Sequence, residues 1–145
     1  MLEYRFHADI EVRFRDLDAM GHVNNAVYLT YLEVARQAYW KQIAADVRYD
    51  RVPFVVAHAA IDFRAPVEVG ETVRVFLRTA WAGSRSFGME YALHERGTNR
   101  LVAEASTVLV TYDWTAQRAV PIPDWLRAGL ERVEGRELPG KPAER

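Results

Sequence analysis

Cysteine is absent from this chain of 145 residues. Disulfides, thiolate metal sites and cysteine nucleophiles are therefore excluded. Long apolar runs are also missing, since no stretch approaches the roughly 20 apolar residues that a membrane-spanning helix needs. The first ten residues include the charged Glu3, Arg5 and Asp9, a pattern unlike that of a signal peptide. We therefore expect a cytoplasmic protein that does not associate with membranes.

The sequence also lacks an excess of charge of either sign. Its 19 basic and 20 acidic residues leave a formal net charge of −1, which does not predict binding to nucleic acid. The four histidines are scattered without the spacing of metal ligands. Half of the residues are hydrophobic, and the length suits a single domain. We predict one domain over residues 1–133 and a flexible tail, rich in Gly, Pro and charge, over residues 134–145.

Two periodicities mark the first half of the chain. Alternation of Ile10, Val12 and Phe14 with charged residues predicts a half-buried strand. Residues 26–43 then follow a helical period, with apolar side chains over most of the surface, which predicts a helix that is covered on most sides. Asn24 or Asn25 is suited to cap its N-terminus, because an amide oxygen can accept from the first-turn N–H groups.

The second half of the chain is typical of strands. A nearly continuous apolar run over residues 54–61 predicts a central strand buried on both faces. Alternating segments at 73–81, 87–93 and 101–112, separated by short turns, predict an antiparallel meander. A short helix follows Pro121, with Leu126, Leu130 and Val133 on one face. One sheet packed on one amphipathic helix is an α+β arrangement.

The segment between the first strand and the helix is the best candidate for chemistry. Asp16 and Asp18 precede Gly21 and the helix start. The start of a helix presents free N–H groups and partial positive charge, which can polarise a carbonyl oxygen. A nearby carboxylate could act as a general base or as a nucleophile. Alternatively, both aspartates are ordinary turn residues, Asn24 and Asn25 are only caps, and nothing else nearby completes a metal site.

The same segment has the pattern Phe14-x-Asp16-x-Asp18-x-x-Gly21-His22-Val23-Asn24-Asn25-x-x-Tyr28-Leu29-x-Tyr31-Leu32-Glu33. In this pattern it resembles the 4-hydroxybenzoyl-CoA thioesterase family of hotdog-fold enzymes. Segments at 63–71 and 101–112 also resemble this family, so that the resemblance covers about residues 5–130. It implies a five-stranded antiparallel sheet wrapped around one long central helix. It also implies dimers joined edge to edge, often paired into tetramers, with active sites at the dimer interface.

By this resemblance the protein hydrolyses acyl-CoA thioesters, and coenzyme A is part of the substrate rather than a cofactor. The catalytic carboxylate is then Asp18, and the amide that polarises the thioester carbonyl lies near Val23 to Ala26, with Val23, Asn24 and Asn25 as the catalytic candidates. The Asn-Asn pair is similar to the branch that acts on fatty acyl-CoA. Because Asn25 cannot exchange protons as a histidine can, its side chain can only position water or the thioester.

The resemblance also suggests residues that bind the substrate. His22 either orients Asp18 and the substrate or makes a structural hydrogen bond. Arg64, Arg85 and Ser86 are candidates for the coenzyme A phosphates, and Tyr28 for the acyl group. The alternatives are surface arginines and a core tyrosine. Glu33 is expected to pair with Arg36 or Arg15.

Other functions remain open at the level of the sequence. The chain could hydrolyse thioesters of acyl carrier protein, or bind acyl-CoA without catalysis. A hydratase of the same fold is disfavoured, because its aspartate and histidine are spaced differently from Asp18 and His22. Short, long and aromatic acyl groups all fit these residues, and Asp18 suits either the role of general base or that of nucleophile.

Overall fold

A computed structural model describes residues 3–45 and 53–143 of the chain. A single turn of 3-10 helix at Phe14–Asp16 lies between the first strand and the first helix. The elements are β1 (Phe6–Glu11), α1 (Val27–Trp40), β2 (Phe54–Phe63), β3 (Thr72–Ala82), β4 (Ser86–Glu95), β5 (Leu101–Asp113), β6 (Arg118–Ala119) and α2 (Asp124–Glu134).

The strands form one antiparallel sheet in the order β1-β3-β4-β5-β2, and the two-residue β6 pairs with β5. The predicted meander of β3, β4 and β5 is confirmed. Alternate residues of these strands, such as Leu77, Tyr91 and Leu109, are buried on the inner face, against which α1 packs. The α+β class and the hotdog arrangement are confirmed.

The helix α1 buries the face that its periodicity predicts, including Tyr28, Leu32, Ala35 and Tyr39. It is shorter than the predicted 26–43, because the chain turns after Trp40. The Tyr39 hydroxyl donates to Glu134 Oε2 at 2.6 Å, which ties α1 to the end of α2.

The strand β2 corrects the prediction of a central strand buried on both faces. Among the strands of the described residues it pairs only with β5, so that it forms an edge of the sheet. Val56 and Phe63 on its inner face are 45% and 47% exposed. A continuous apolar run indicates that both faces become covered, but it does not say whether the same chain covers them.

The first strand also differs from its prediction. It runs over Phe6–Glu11 and ends before Phe14, which is 83% exposed. The alternating pattern continues past Glu11, but the Arg13 N–H bonds to the Asp16 carboxylate at 3.0 Å and the backbone turns instead. Local hydrogen bonding by an aspartate therefore overrides the strand pattern here.

The chain after α2 makes specific contacts with the body of the protein. Gly135 ends the helix with a φ of 70°, a left-handed conformation that suits glycine. The Ala82 N–H donates to the Pro139 carbonyl at 2.9 Å, and the Leu138 N–H donates to the Glu131 carboxylate at 2.9 Å. Residues 144 and 145 of the predicted tail lie outside the described residues. Neither helix of the described chain has the length and apolar character needed to cross a membrane.

Candidate functional site

The loop between the 3-10 turn and α1 is held in a tight reversal. Leu17 and Val23 form an isolated bridge, and the Asp18 N–H donates to the His22 carbonyl at 2.8 Å. The Gly21 N–H donates to the Asp18 carbonyl at 3.1 Å. Gly21 has a φ of 81°, which residues with a side chain rarely adopt. This turn sets the position of the Asp18 side chain.

The loop binds only one of the two oxygens of the Asp18 carboxylate. Its Oδ1 accepts from the Met20 N–H at 2.8 Å and from the His22 N–H at 3.3 Å. No group of the described chain donates to its Oδ2, and the residue is exposed. The loop therefore fixes one oxygen and leaves the other available for water or a substrate.

Hydrogen bonds near the start of α1 show which backbone N–H groups are available to polarise a carbonyl. The Val23 N–H donates to the Val67 carbonyl at 2.8 Å, and the Asn24 N–H donates to the Asp16 carbonyl at 2.9 Å. Both are therefore occupied within the protein. The Asn25 N–H donates no hydrogen bond to any group of residues 3–45 and 53–143. The Ala26 N–H donates to the Asn24 side chain at 2.9 Å. Of the amides from Val23 to Ala26, only that of Asn25 has no acceptor in the described chain.

The predicted N-cap is corrected in the same place. The cap position of α1 is Ala26, which has no capping side chain. The Asn24 side chain accepts from the Ala26 N–H at 2.9 Å, one residue before the helix begins. The Asn25 side chain makes no hydrogen bond to the described residues. Asn24 thus shapes the approach to the helix rather than its first turn.

Asp16 has a structural role that the sequence did not distinguish from that of Asp18. It is 2% exposed, and its Oδ2 accepts from the Tyr31 hydroxyl at 2.8 Å. Arg13 donates to it from the backbone at 3.0 Å and from the guanidinium at 2.9 Å. Burial alone would raise the pKa of Asp16, but these hydrogen bonds lower it below its ordinary value. Asp16 thereby fastens the loop to α1.

Replacing Asp16 by alanine is expected to lower the free energy of unfolding by about 2–4 kcal/mol, because it leaves the buried Tyr31 hydroxyl without its acceptor and removes the hydrogen bonds from Arg13 that hold the turn. Asp9→Ala is the control, since it removes a partly exposed ion pair with Arg74 and is expected to cost about 1 kcal/mol or less. Urea denaturation measures both. Because the folded pKa of Asp16 is lowered, its contribution is present above about pH 4 and is lost as the pH falls through the folded value. Equal losses for the two variants would contradict this role.

The loop that follows β2 packs against the Asp18 loop. His22 and Glu68 form an isolated bridge, with the His22 Nε2 at 3.9 Å from the Glu68 Oε1. The Tyr28 ring packs edge-on against Phe63 with centroids 5.1 Å apart. Burial raises the pKa of Tyr28. Tyr28 is therefore a neutral, buried residue at the border of the site, and Phe63 is a neighbour that the sequence did not identify as functional.

The predicted phosphate-binding residues do not lie together in one subunit. Arg64, next to Phe63, is engaged by Glu104, with Nη2 and Oε2 3.0 Å apart. Ser86 pairs with Val110, at the opposite end of β2 from Phe63. Val110 pairs with Val55, and the eight residue steps from Val55 to Phe63 span about 26 Å. Arg85 and Ser86 are thus far from Asp18 within one chain, and Arg85 is exposed.

Metal coordination has no obvious place in the described residues. Residues 3–45 and 53–143 contain no cluster of three or more His, Asp or Glu side chains arranged to hold a metal ion. The groups that the loop before α1 leaves unpaired in the described chain are the Asp18 Oδ2 and the Asn25 N–H.

Comparison with known proteins identifies relatives of the whole fold. The family model described as the thioesterase-like superfamily matches residues 12–130. The long-chain acyl-CoA thioesterase FadM of Escherichia coli is 27% identical over 129 residues, covering 86% of this chain and 96% of that protein. A 1,4-dihydroxy-2-naphthoyl-CoA hydrolase of Thermosynechococcus vestitus is 30% identical, covering 87% and 91%. The uncharacterised YsmA of Bacillus subtilis is 30% identical over 88 residues, and the chain spans 60% of its length.

Solved structures show the same similarity. A thioesterase of Thermus thermophilus, solved with coenzyme A and Zn, has a TM-score of 0.85 and 36% sequence identity. The alignment covers 95% of this chain and 100% of the Thermus thermophilus chain.

Proposed function

We propose, from the premise that the chain belongs to the thioesterase-like superfamily, that it hydrolyses acyl-CoA thioesters to a carboxylic acid and free coenzyme A. One observation carries the proposal. The free Oδ2 of Asp18 lies on the loop that leads to the helix start, where the Asn25 N–H has no acceptor in the described chain. A carboxylate and a polarising amide are the two groups that acyl transfer from a thioester requires.

In the proposed reaction the Asn25 N–H donates to the thioester carbonyl oxygen and stabilises the negative charge that develops there. The partial positive charge at the start of α1 adds to this stabilisation. Asp18 Oδ2 takes a proton from water, and the hydroxide adds to the carbonyl carbon. The tetrahedral intermediate then collapses by breaking the carbon–sulfur bond, and the departing thiolate recovers the proton.

A nucleophilic role for Asp18 uses the same geometry. The carboxylate oxygen then attacks the carbonyl carbon, the thiolate leaves, and water hydrolyses the resulting mixed anhydride. The His22 Nε2 lies toward Glu68 at 3.9 Å, which supports a structural role for His22. The Asn25 side chain, which cannot exchange protons, is left to orient water or the thioester.

A dimer supports this function better than a single subunit. The edge strand β2 has an apolar sequence and ten residues, without the lysines that usually protect such edges. If two copies pair antiparallel along β2, the Phe54 end of one strand lies beside the Phe63 end of the other. Arg85 and Ser86 of a second copy then approach the Asp18 site, where they can bind the phosphates of coenzyme A. We propose a cytoplasmic homodimer, or a tetramer of two such dimers.

The edge pairing is tested by Ala60→Lys on β2. Ala60 is exposed on the outer face. A lysine on an edge strand opposes pairing, because strand addition would desolvate its charge. We expect sedimentation to show a shift from dimer to monomer, with loss of thioester hydrolysis. Ala116→Lys in the exposed turn after β5 is the control and keeps the wild-type assembly. A dimer that survives Ala60→Lys would place the interface elsewhere.

The reaction itself is tested by thiol release. Purified protein is mixed with a panel of aliphatic and aromatic acyl-CoAs and a thiol reagent, and in parallel with an acylated acyl carrier protein. Release from acyl-CoA supports the proposal. Release only from the carrier protein would mean that the substrate is acylated acyl carrier protein, hydrolysed by the same chemistry. Binding of acyl-CoA without release would favour a binding protein.

A further inference from the structure

We use the word groove for the space between α1 and the inner face of the edge strand β2, which is bounded by the aromatic pairs Tyr28–Phe63 and Trp40–Phe54. The two elements are antiparallel neighbours and meet through aromatic pairs at both ends. At the end near Asp18, Tyr28 packs against Phe63. At the far end, Trp40 packs against Phe54 with ring centroids 5.2 Å apart. Between these pairs the inner face of β2 is open.

The side chain of Arg36 enters this groove from α1. Its Nη1 donates to the Tyr91 hydroxyl at 3.2 Å, and that hydroxyl shares a hydrogen bond with Thr107 Oγ1 at 2.7 Å. Thr107 pairs in register with Ala59 of β2. Ala59 is exposed, so that a small side chain leaves room beside the guanidinium. Arg36 therefore lies at the middle of the groove, on its inner wall.

The charge of Arg36 has no counterpart in the described chain. No carboxylate of residues 3–45 and 53–143 forms an ion pair with it, and the predicted pairing with Glu33 is not found. Tyr91 takes only one of the five N–H donors that a guanidinium carries. Arg36 is half-buried, so its remaining donors meet solvent in the free subunit and need other acceptors once an apolar group covers them. The groove therefore matches a ligand that brings an oxygen acceptor to this point.

We propose that Arg36 is a specificity-determining residue, and that the acyl group of the substrate carries an oxygen acceptor, best a carboxylate, at its end remote from the thioester. The inference rests on the proposed acyl-CoA hydrolysis. Guanidinium and carboxylate form charge-assisted hydrogen bonds of matching geometry. A methyl-ended fatty chain would bury the charge of Arg36 without an acceptor.

The distance of Arg36 from the Asp18 end of the groove is similar whether it is measured along α1 or along β2. Arg36 follows Tyr28 by eight helical residues, which is about 12 Å. Ala59 precedes Phe63 by four strand residues, which is about 13 Å. Beside Arg36, a cavity that Trp40 and Phe54 also line has a volume of about 10 Å³, which is no larger than one water. An acyl group that reaches Arg36 therefore finds little space beyond it.

The test compares acyl-CoA pairs of equal length that differ only at the remote end: hexanoyl with adipyl, octanoyl with suberyl, and decanoyl with sebacyl. The wild type is expected to prefer the carboxyl-ended member of at least one pair by about tenfold or more in kcat/KM. Arg36→Met removes or reverses that preference, and Arg36→Lys restores part of it. Arg132→Met, on the exposed face of α2, is the matched control and keeps the wild-type preference.

Two outcomes would overturn the inference. One is a wild type that prefers the methyl-ended member of every pair. The other is an Arg36→Met protein with an unchanged preference, which would assign Arg36 to an ion pair with a second subunit. If Arg36→Met does not fold, Tyr91→Phe takes its place, because it frees the guanidinium from its anchor and is expected to weaken the preference. Failure of the proposed function is distinguishable, since then no member of any pair releases thiol.

Discussion

Asp18→Asn is expected to lower kcat by at least about a hundredfold while the protein stays folded. Asparagine keeps an oxygen that can accept from the Met20 and His22 N–H groups, so that the loop retains its turn. It loses the second carboxylate oxygen, and with it the ability to take a proton or to attack a carbonyl carbon. Steady-state thiol release, with circular dichroism as the check on folding, measures the effect.

The chain offers a matched control in Asp113→Asn. Asp113 Oδ1 accepts from the Thr115 and Ala116 N–H groups at 2.9 and 3.0 Å, the same kind of turn that Asp18 makes. This variant tests the general effect of losing a turn carboxylate, and its kcat is expected to stay within a few-fold of the wild type. Equal rates for Asp18→Asn and the wild type would remove Asp18 from the mechanism.

Single-turnover hydrolysis in heavy-oxygen water separates the two roles of Asp18. If Asp18 attacks the thioester, water attacks the resulting anhydride, and label can enter the protein carboxylate. If Asp18 acts as a general base, label enters only the released acid. Mass spectrometry of the peptide that contains Asp18 distinguishes the two results.

Asn25→Pro is expected to lower kcat by about a hundredfold to a thousandfold, because it removes the backbone N–H that would stabilise the oxyanion. Asn25→Ala keeps that N–H and loses only the amide side chain, so that its loss is expected to be about tenfold or less. The contrast between the two variants isolates the backbone donor from the side chain. Thiol release at saturating acyl-CoA is the measurement.

Proline also restricts the residue before it, which here is Asn24. Asn24→Ala therefore serves as the control, because it disturbs the same turn by removing the hydrogen bond to the Ala26 N–H. Thermal unfolding of the three variants shows whether the turn is retained. If Asn25→Pro and Asn25→Ala have equal rates, the oxyanion is stabilised by another group.

The sequence alone determined the parts of this protein that depend on local periodicity. The helical period placed α1 within three residues of its observed ends, and the alternating period placed β3, β4 and β5. These patterns are reliable because the pitch of a helix and the pleat of a strand are properties of neighbouring residues. The sequence also indicated that the loop before the helix is the candidate site.

Only the tertiary structure decided how neighbouring residues of that loop divide their roles. Asp16 and Asp18 are two positions apart, yet Tyr31 and Arg13 bury and bind the first, while the second keeps a free oxygen. Asn25 differs from Val23 and Asn24 only because distant carbonyls occupy the amides of the other two. The edge position of β2 was likewise decided by pairing with β5 alone. Periodicity reports which side chains become covered, but the partners that cover them come from remote parts of the chain or from a second chain.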